Sequence, residues 1–239
     1  YGGATCAVLL NAALLHPQRL GEPIALTVNY AAPLADGSFE IEARPVRTNR
    51  STQHWNMTLA QQGAVVATSS AVFAARRETW SAPEATPPAG MPPAITLPVS
   101  PVDSRPRWVR QYDMRFAEDE SPALFSGTER PDSETRLWVR DEPPRPLDFP
   151  SLAAICDCFL PGIFVRRGRR ALIGTVTLTT YFHAGAAMLA ATGAGLYPDL
   201  ASAAAAMRGT ATRFTPSLDA DKRKTRLAGW QSALAKVLG

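Results

Sequence analysis

Cysteine is scarce in this chain: three in 239 residues, Cys6, Cys156 and Cys158. An odd number with no paired framework excludes a disulfide-built scaffold and points to a reducing, cytoplasmic setting. Cys156 and Cys158 flank one residue, and no second pair completes a tetrahedral zinc site, so no metal centre is expected. No apolar run reaches the ~18 residues that a membrane-spanning helix needs. No signal peptide is visible, and the chain opens at "YGGATCAVLL" without Met, so its natural start is expected upstream. Aromatics make up only 8%, and no basic stripe interleaves with them, which argues against a nucleic-acid surface. The charge excess is small, +4, and points to a small anionic ligand, or to nothing in particular, more than to nucleic acid.

What remains is a chain able to bury a core, with 46% hydrophobic and 19% charged residues. Residues 4–16, "ATCAVLLNAALLH", are apolar almost all round except at Asn11, the pattern of a helix wrapped by other structure. Four strand-like runs follow: "PIALTVNYAAPL", "SFEIEARPVRT" after an Asp36-Gly37 turn, "TQHWNMTLAQQ", and "AVVATSSAVFAA" after a tight turn near Gly63. Their β-branched content and turn signals predict an antiparallel meander. Residues 1–80 therefore read as one unit, a buried helix and the sheet around it.

Residues 81–106 are crowded with proline, cannot pair as a central strand, and read as a linker. A second unit spans 107–183. It has strands at "WVRQYDMRFA" and "TRLWVRDE", a helix at "FPSLAAICDCFL" with Asp148 or Phe149 near its cap and Pro150 in its first turn, and a strand at "ALIGTVTLTTYFH". A helix followed by a long strand occurs in both halves, the mark of a diverged internal duplication. Residues 184–239 depart from it: an Ala-rich stretch, then "DADKRKTRLAGWQSALAKVLG", both helical in propensity.

"YGGATCAVLLNAAL", "RSTQHWNMTLAQQGAVVATSSAVF" and "LDFPSLAAICDCFLPGIF…TVTLTTYFHA", in that order and spacing, resemble the acyl-CoA thioesterases of the type II, double hot-dog family over residues 1–183. The resemblance implies an α+β tandem hot-dog, each unit an antiparallel sheet wrapped around a central helix. It also implies hydrolysis of a fatty acyl-CoA to free acid and coenzyme A, with no cofactor beyond the coenzyme A of the substrate. The tail, "GAAMLAATGAGLYPDLASAAAAM" and "RFTPSLDADKRKTRLAGW", resembles the C-terminal end of the sugar kinases that include ribulokinase and xylulokinase. No phosphate-cradling glycine loop accompanies it, so phosphoryl transfer is not inferred and the tail reads as a fused or displaced segment.

Asp157 stands inside the apolar "AICDCFL", where lost hydration raises a carboxyl pKa and suits the group to deprotonate a water. The same residue also reads as a solvent-facing acid at a helix edge. In the family a helix aspartate is the base, and Asp157 matches it. The family threonine matches Thr175, whose hydroxyl both donates and accepts and so can hold the water. Alternation sets Thr175, Thr177 and Thr179 on one face, which equally fits a solvated threonine row, unless Gly174 marks a bulge that turns Thr175 inward. The family glutamine has no counterpart. Gln61 and Gln62 hold its place in the first repeat only, and Gln231 lies in the tail. That gap leaves a second expectation, a non-catalytic acyl-CoA-binding or scaffold protein.

Gly2 and Gly3 open the first helix without a Ser, Thr or Asp cap, leaving N–H groups for a carbonyl oxygen or anion, or merely making a tight turn. Arg166 and Arg167, in "VRRGRR", suit the phosphates of coenzyme A or a solvated turn. His54 and His183 read as structural. An unfinished sheet in the second unit would leave an edge open to a homo-oligomer.

Overall fold

The computed structural model describes residues 1–77, 88–101, 106–117, 127–183 and Asp221. All of these except Arg77 and Asp221 fall in one compact unit. The helices expected within 184–239 lie outside the described residues.

Helix α1 (Gly2–Leu14) is the rod at the centre. Cys6, Leu9, Leu10 and Ala13, spaced at three and four residues, are fully buried. Burying each leucine contributes about 1.5–3 kcal/mol. Asn11 is exposed, so the apolar wrapping is broken where the sequence is polar. Strands β1 (Glu22–Tyr30), β2 (Glu40–Thr48), β3 (Thr52–Gln61) and β4 (Ala64–Ala74) curl around α1. Leu26 and Val28 of β1, Trp55, Met57 and Leu59 of β3, and Ala67, Ala71 and Phe73 of β4 close the core. The alternating burial along β3 and β4 is the two-residue period of a half-covered sheet.

Three of the four expected strands form a meander, but the first does not join them in sequence order. The sheet runs β2-β3-β4-β1-β7, where β7 is Thr177–Tyr181, all antiparallel, with β1 paired to β4 and not to β2. Asp36-Gly37 therefore lies in a crossing loop rather than a hairpin. The β3–β4 connection is a true two-residue hairpin, with Gln62 and Gly63 both at positive φ (52° and 79°). β2 is an edge strand. It tolerates Pro45 beside an irregularity at 45–47 and carries Glu40, Glu42, Arg44 and Arg47, all of which discourage edge-on association.

The second unit supplies β5 (Tyr112–Phe116), β6 (Leu137–Asp141), α2 (Phe149–Ile155), α3 (Gly162–Arg167) and β7 (Thr177–Tyr181). Asp148 caps α2, its Oδ1 accepting from the Ser151 N–H at 2.8 Å. Two expectations are corrected here. The helix ends at Ile155, so Asp157 lies in the turn beyond it and not inside it. The following strand starts at Thr177, so Leu172–Val176 are not part of it. Gly174 makes no bulge in the ladder, which begins after it.

α1 packs against α2, and β7 pairs antiparallel with β1 in the register Leu26↔Thr180, Thr27↔Thr179, Val28↔Leu178. Each of these strands follows the helix of its own unit. Their pairing joins the two units, with the Thr27 and Thr179 hydroxyls meeting at 3.0 Å across the seam. A second cluster, with Val109, Tyr112, Met114, Phe116, Cys158 and Val165, lies under α2 and α3. The described part of the Pro-rich segment packs on this unit. Arg115 donates to the Ala94 and Leu97 carbonyls, Trp138 Nε1 donates to Pro92, and the Ser100 N–H bonds Met114 O at 2.8 Å.

Candidate active site

The site forms where the start of α1 meets the turn after α2. The Gly3 N–H donates to Asp157 Oδ2 at 2.9 Å. The Thr175 hydroxyl lies 3.5 Å from Asp157 Oδ1 and donates to it. The two units thus each contribute to one carboxylate: a helix N-terminal amide from the first, the acid and a hydroxyl from the second. A negative charge is favoured at a helix N-terminus, where amides lack partners and the dipole is positive.

The glycines are required by closeness. A Cβ on Gly2 would stand 2.7 Å from Asp157 Oδ2 and 3.1 Å from the Tyr30 hydroxyl. One on Gly3 would collide with the Ala154 carbonyl and the Tyr1 hydroxyl. The N-terminal amides are therefore not all open to a ligand, since the Gly3 N–H is engaged by Asp157.

Asp157 is half-buried. Partial desolvation lifts its carboxyl above the ordinary carboxylate range, while the Gly3 amide and the Thr175 hydroxyl act in the opposite direction. The neighbouring sulfurs offer no competing nucleophile. Burial pushes the Cys6 thiol up to about 11 and the Cys158 thiol up to about 12, and desolvation raises Cys156 as well. A thiolate is the reactive form of cysteine, so the raised thiols are poor nucleophiles at neutral pH and leave the chemistry to the carboxyl.

Several residues not singled out in the sequence shape the site. The Tyr30 hydroxyl donates to Gly2 O at 2.8 Å and lies 3.0 Å from Cys6 Sγ. Tyr1 stacks on Trp108 with ring centroids 4.2 Å apart; its hydroxyl donates to Ala154 O at 2.5 Å and meets Cys158 Sγ at 2.9 Å. A signal for Tyr30 existed: it continues the inward parity of Leu26 and Val28 but carries a polar tip.

Arg166 and Arg167 occupy the exposed last turn of α3, which Gly168 closes in the left-handed conformation. None of the hydrogen bonds or ion pairs among the described residues joins them to Asp157. Gln61 is spent on structure, its amide bonding the backbone of Ala35 and Ser38. A polar groove of about 310 Å³, lined among others by Asn29, Glu42, Arg44 and Asn56, includes none of the site residues.

A central helix wrapped by an antiparallel sheet, continued edge to edge into a second helix-and-strand unit, defines a tandem hot-dog protein. The family model for the acyl-CoA thioesterase N-terminal domain matches residues 1–74, and that for the C-terminal domain matches residues 81–196. The chain belongs to this acyl-CoA thioesterase family. It is similar to a conserved hot-dog protein of unknown function from Alicyclobacillus acidocaldarius, at 48% identity over 77% of this chain and 67% of that one, with a TM-score of 0.71. A protein described as a thioesterase II from Thermobifida fusca YX shares the fold at 21% identity, covering 77% of this chain and 69% of its own, TM-score 0.66. So does one described as a thioesterase from Novosphingobium aromaticivorans, at 22% identity, 66% of this chain and 60% of its own, TM-score 0.54. No curated protein matches the chain. These matches give no support to the sugar-kinase resemblance of 184–239. Among the described residues no helix is long and apolar enough to cross a membrane.

Proposed function

We propose that the chain hydrolyses the thioester of a fatty acyl-CoA, with Asp157 as general base and Thr175 holding the water. The observation that carries this reading is the half-buried carboxylate, fixed on one oxygen by the Gly3 amide and reached on the other by the Thr175 hydroxyl. The water oxygen attacks the thioester carbonyl carbon while its proton passes to Asp157. The carbon–sulfur bond then breaks, the acid leaves, and coenzyme A departs as a thiolate that takes up a proton. Gly2, which lacks a side chain beside Asp157, leaves room for the acyl carbonyl to approach. Gly3 acts through the carboxylate that it holds. Arg166 and Arg167, exposed in the last turn of α3, pair with the coenzyme A phosphates. The absence of a counterpart to the family glutamine favours a second reading, in which the shell binds acyl-CoA without turning it over.

The test is thiol release from acyl-CoAs of increasing chain length. Turnover by the native chain, abolished in Asp157→Asn, supports hydrolysis. Calorimetric binding without thiol release moves the assignment to the second reading, and the absence of both overturns the two together.

A further inference from the structure

Tyr30 reaches the site in two ways. Its hydroxyl donates to Gly2 O at 2.8 Å, and its backbone N–H donates to Val176 O at 2.9 Å, one residue beyond Thr175. The Gly2 carbonyl and the Gly3 N–H belong to the same planar peptide group. The phenol, that peptide and the carboxylate therefore form a continuous chain of hydrogen bonds: Tyr30 O–H to Gly2 C=O, Gly3 N–H to Asp157 Oδ2. A donor on a peptide oxygen polarises the amide and strengthens its own donation, so the links reinforce one another.

We propose that Tyr30 is a positioning residue for Asp157, orienting and polarising the Gly2–Gly3 peptide that holds the carboxylate and, through Val176, fixing the approach of Thr175. This rests on Asp157 being the base assigned above, and adds the residue that governs it. Tyr30 ends β1, which lies between β4 and β7, so the two units meet at the strand that carries the hydroxyl. The titratable groups near Asp157 are Cys156 and Cys158 from its own turn, Cys6 from α1 and Tyr30 from β1, with the Thr175 hydroxyl ahead of β7. Burial raises the three thiols and the Tyr30 phenol, so none of these ionises in the acid range where the carboxyl titrates.

The test is a carbon-13 NMR titration of the Asp157 carboxyl in the full chain, its resonance assigned by loss in Asp157→Asn. Tyr30→Phe keeps the ring and removes the donor. The charged carboxylate then loses stabilisation, so the titration midpoint moves to higher pH, and the acid limb of kcat/KM for thiol release moves with it. The rate constant kcat falls roughly two- to tenfold with KM unchanged, the loss expected for one neutral hydrogen bond. An unmoved midpoint in a folded Tyr30→Phe chain overturns the proposal. The NMR arm decides this even if the native chain releases no thiol, a result that removes the hydrolase reading alone. Should Tyr30→Phe fail to fold, 3-fluorotyrosine placed at position 30 is a stronger donor and must move the midpoint to lower pH; no movement overturns the proposal equally.

Discussion

Replacing Asp157 by Asn separates what this residue does for chemistry from what it does for the fold. The Asn carbonyl oxygen still accepts from the Gly3 N–H, which now meets Asp157 Oδ2 at 2.9 Å, but the amide takes no proton from water. General-base catalysis contributes about 10²–10⁴-fold, or about 3–5 kcal/mol of barrier, so thiol release falls by that factor with little change in KM. Stability moves the other way. Desolvation raises the carboxyl in the folded chain, so the fold holds that proton more tightly than the unfolded chain does. Stability from this group is therefore full at low pH and declines as pH rises through the interval between the unfolded and folded values. Asn is free of that decline, and its melting temperature at neutral pH equals or exceeds that of the native chain. Ala provides no acceptor. The Gly3 N–H is stranded at a helix N-terminus, at a cost of about 1–2 kcal/mol, which lowers Tm by roughly 2–8 °C in a chain of this size. The assays are thiol release and a thermal melt on the three proteins. An Asn variant that keeps more than a tenth of native turnover, or melts well below Ala, refutes the reasoning.

Two other perturbations address the rest of the molecule. Arg166→Ala with Arg167→Ala raises KM for acyl-CoA several-fold with kcat unchanged, and leaves acyl-pantetheine, which lacks the nucleotide phosphates, unaffected in steady-state kinetics; an equal effect on both substrates removes the phosphate role. Asp113 is buried and paired with Arg115 and Arg140, each at 2.9 Å, and the hydrogen bonds from Arg115 chiefly hold its carboxyl below the ordinary range. A depressed carboxyl contributes stability above the unfolded value that is lost as pH falls through the folded one. Denaturant midpoints measured down the acid range therefore fall more steeply for the native chain than for Asp113→Asn.

The first unit is legible because its strands alternate and its helix is apolar almost all round, broken at Asn11, and both features follow from wrapping a sheet on a rod. The place of β1 is not. Turn chemistry at Asp36-Gly37 marks a change of direction, but it carries no information about which strand lies alongside. β1 pairs with β4 and β7 because its inward residues Leu26 and Val28 complete the core between them. The end of α2 was misjudged for a related reason, since "ICDCFL" is apolar enough to continue a helix. The chain leaves the helix there, and the turn sets Asp157 on the amide of α1. Asp157 stands out in the sequence as a carboxylate within an apolar run, and the resemblance points to it again and adds Thr175. Tyr30 carries no such mark, because the Gly2 carbonyl that its hydroxyl meets is distant in sequence and only the folded chain brings it near.

The duplication raises the question of how many such sites one chain holds, and the two helix N-termini answer it. The start of α1 has no side-chain cap of its own and takes Asp157 from the other unit. The start of α2 is capped locally by Asp148, which is further tied to Arg145 at 3.0 Å, while Arg145 also pairs with Asp141 at 2.9 Å. The quasi-equivalent position is thus already filled by a closed ion-pair network, with Ser151 also donating to Asp141. An acid delivered there from α1 would meet an amide that is engaged and a carboxylate that repels it. One helix terminus thus takes its acid from the other unit, while the other is capped from within its own. Calorimetric titration of Asp157→Asn with a non-turned-over acyl-CoA should therefore saturate at one ligand per chain, and a stoichiometry of two would show that the α2 terminus is a site after all.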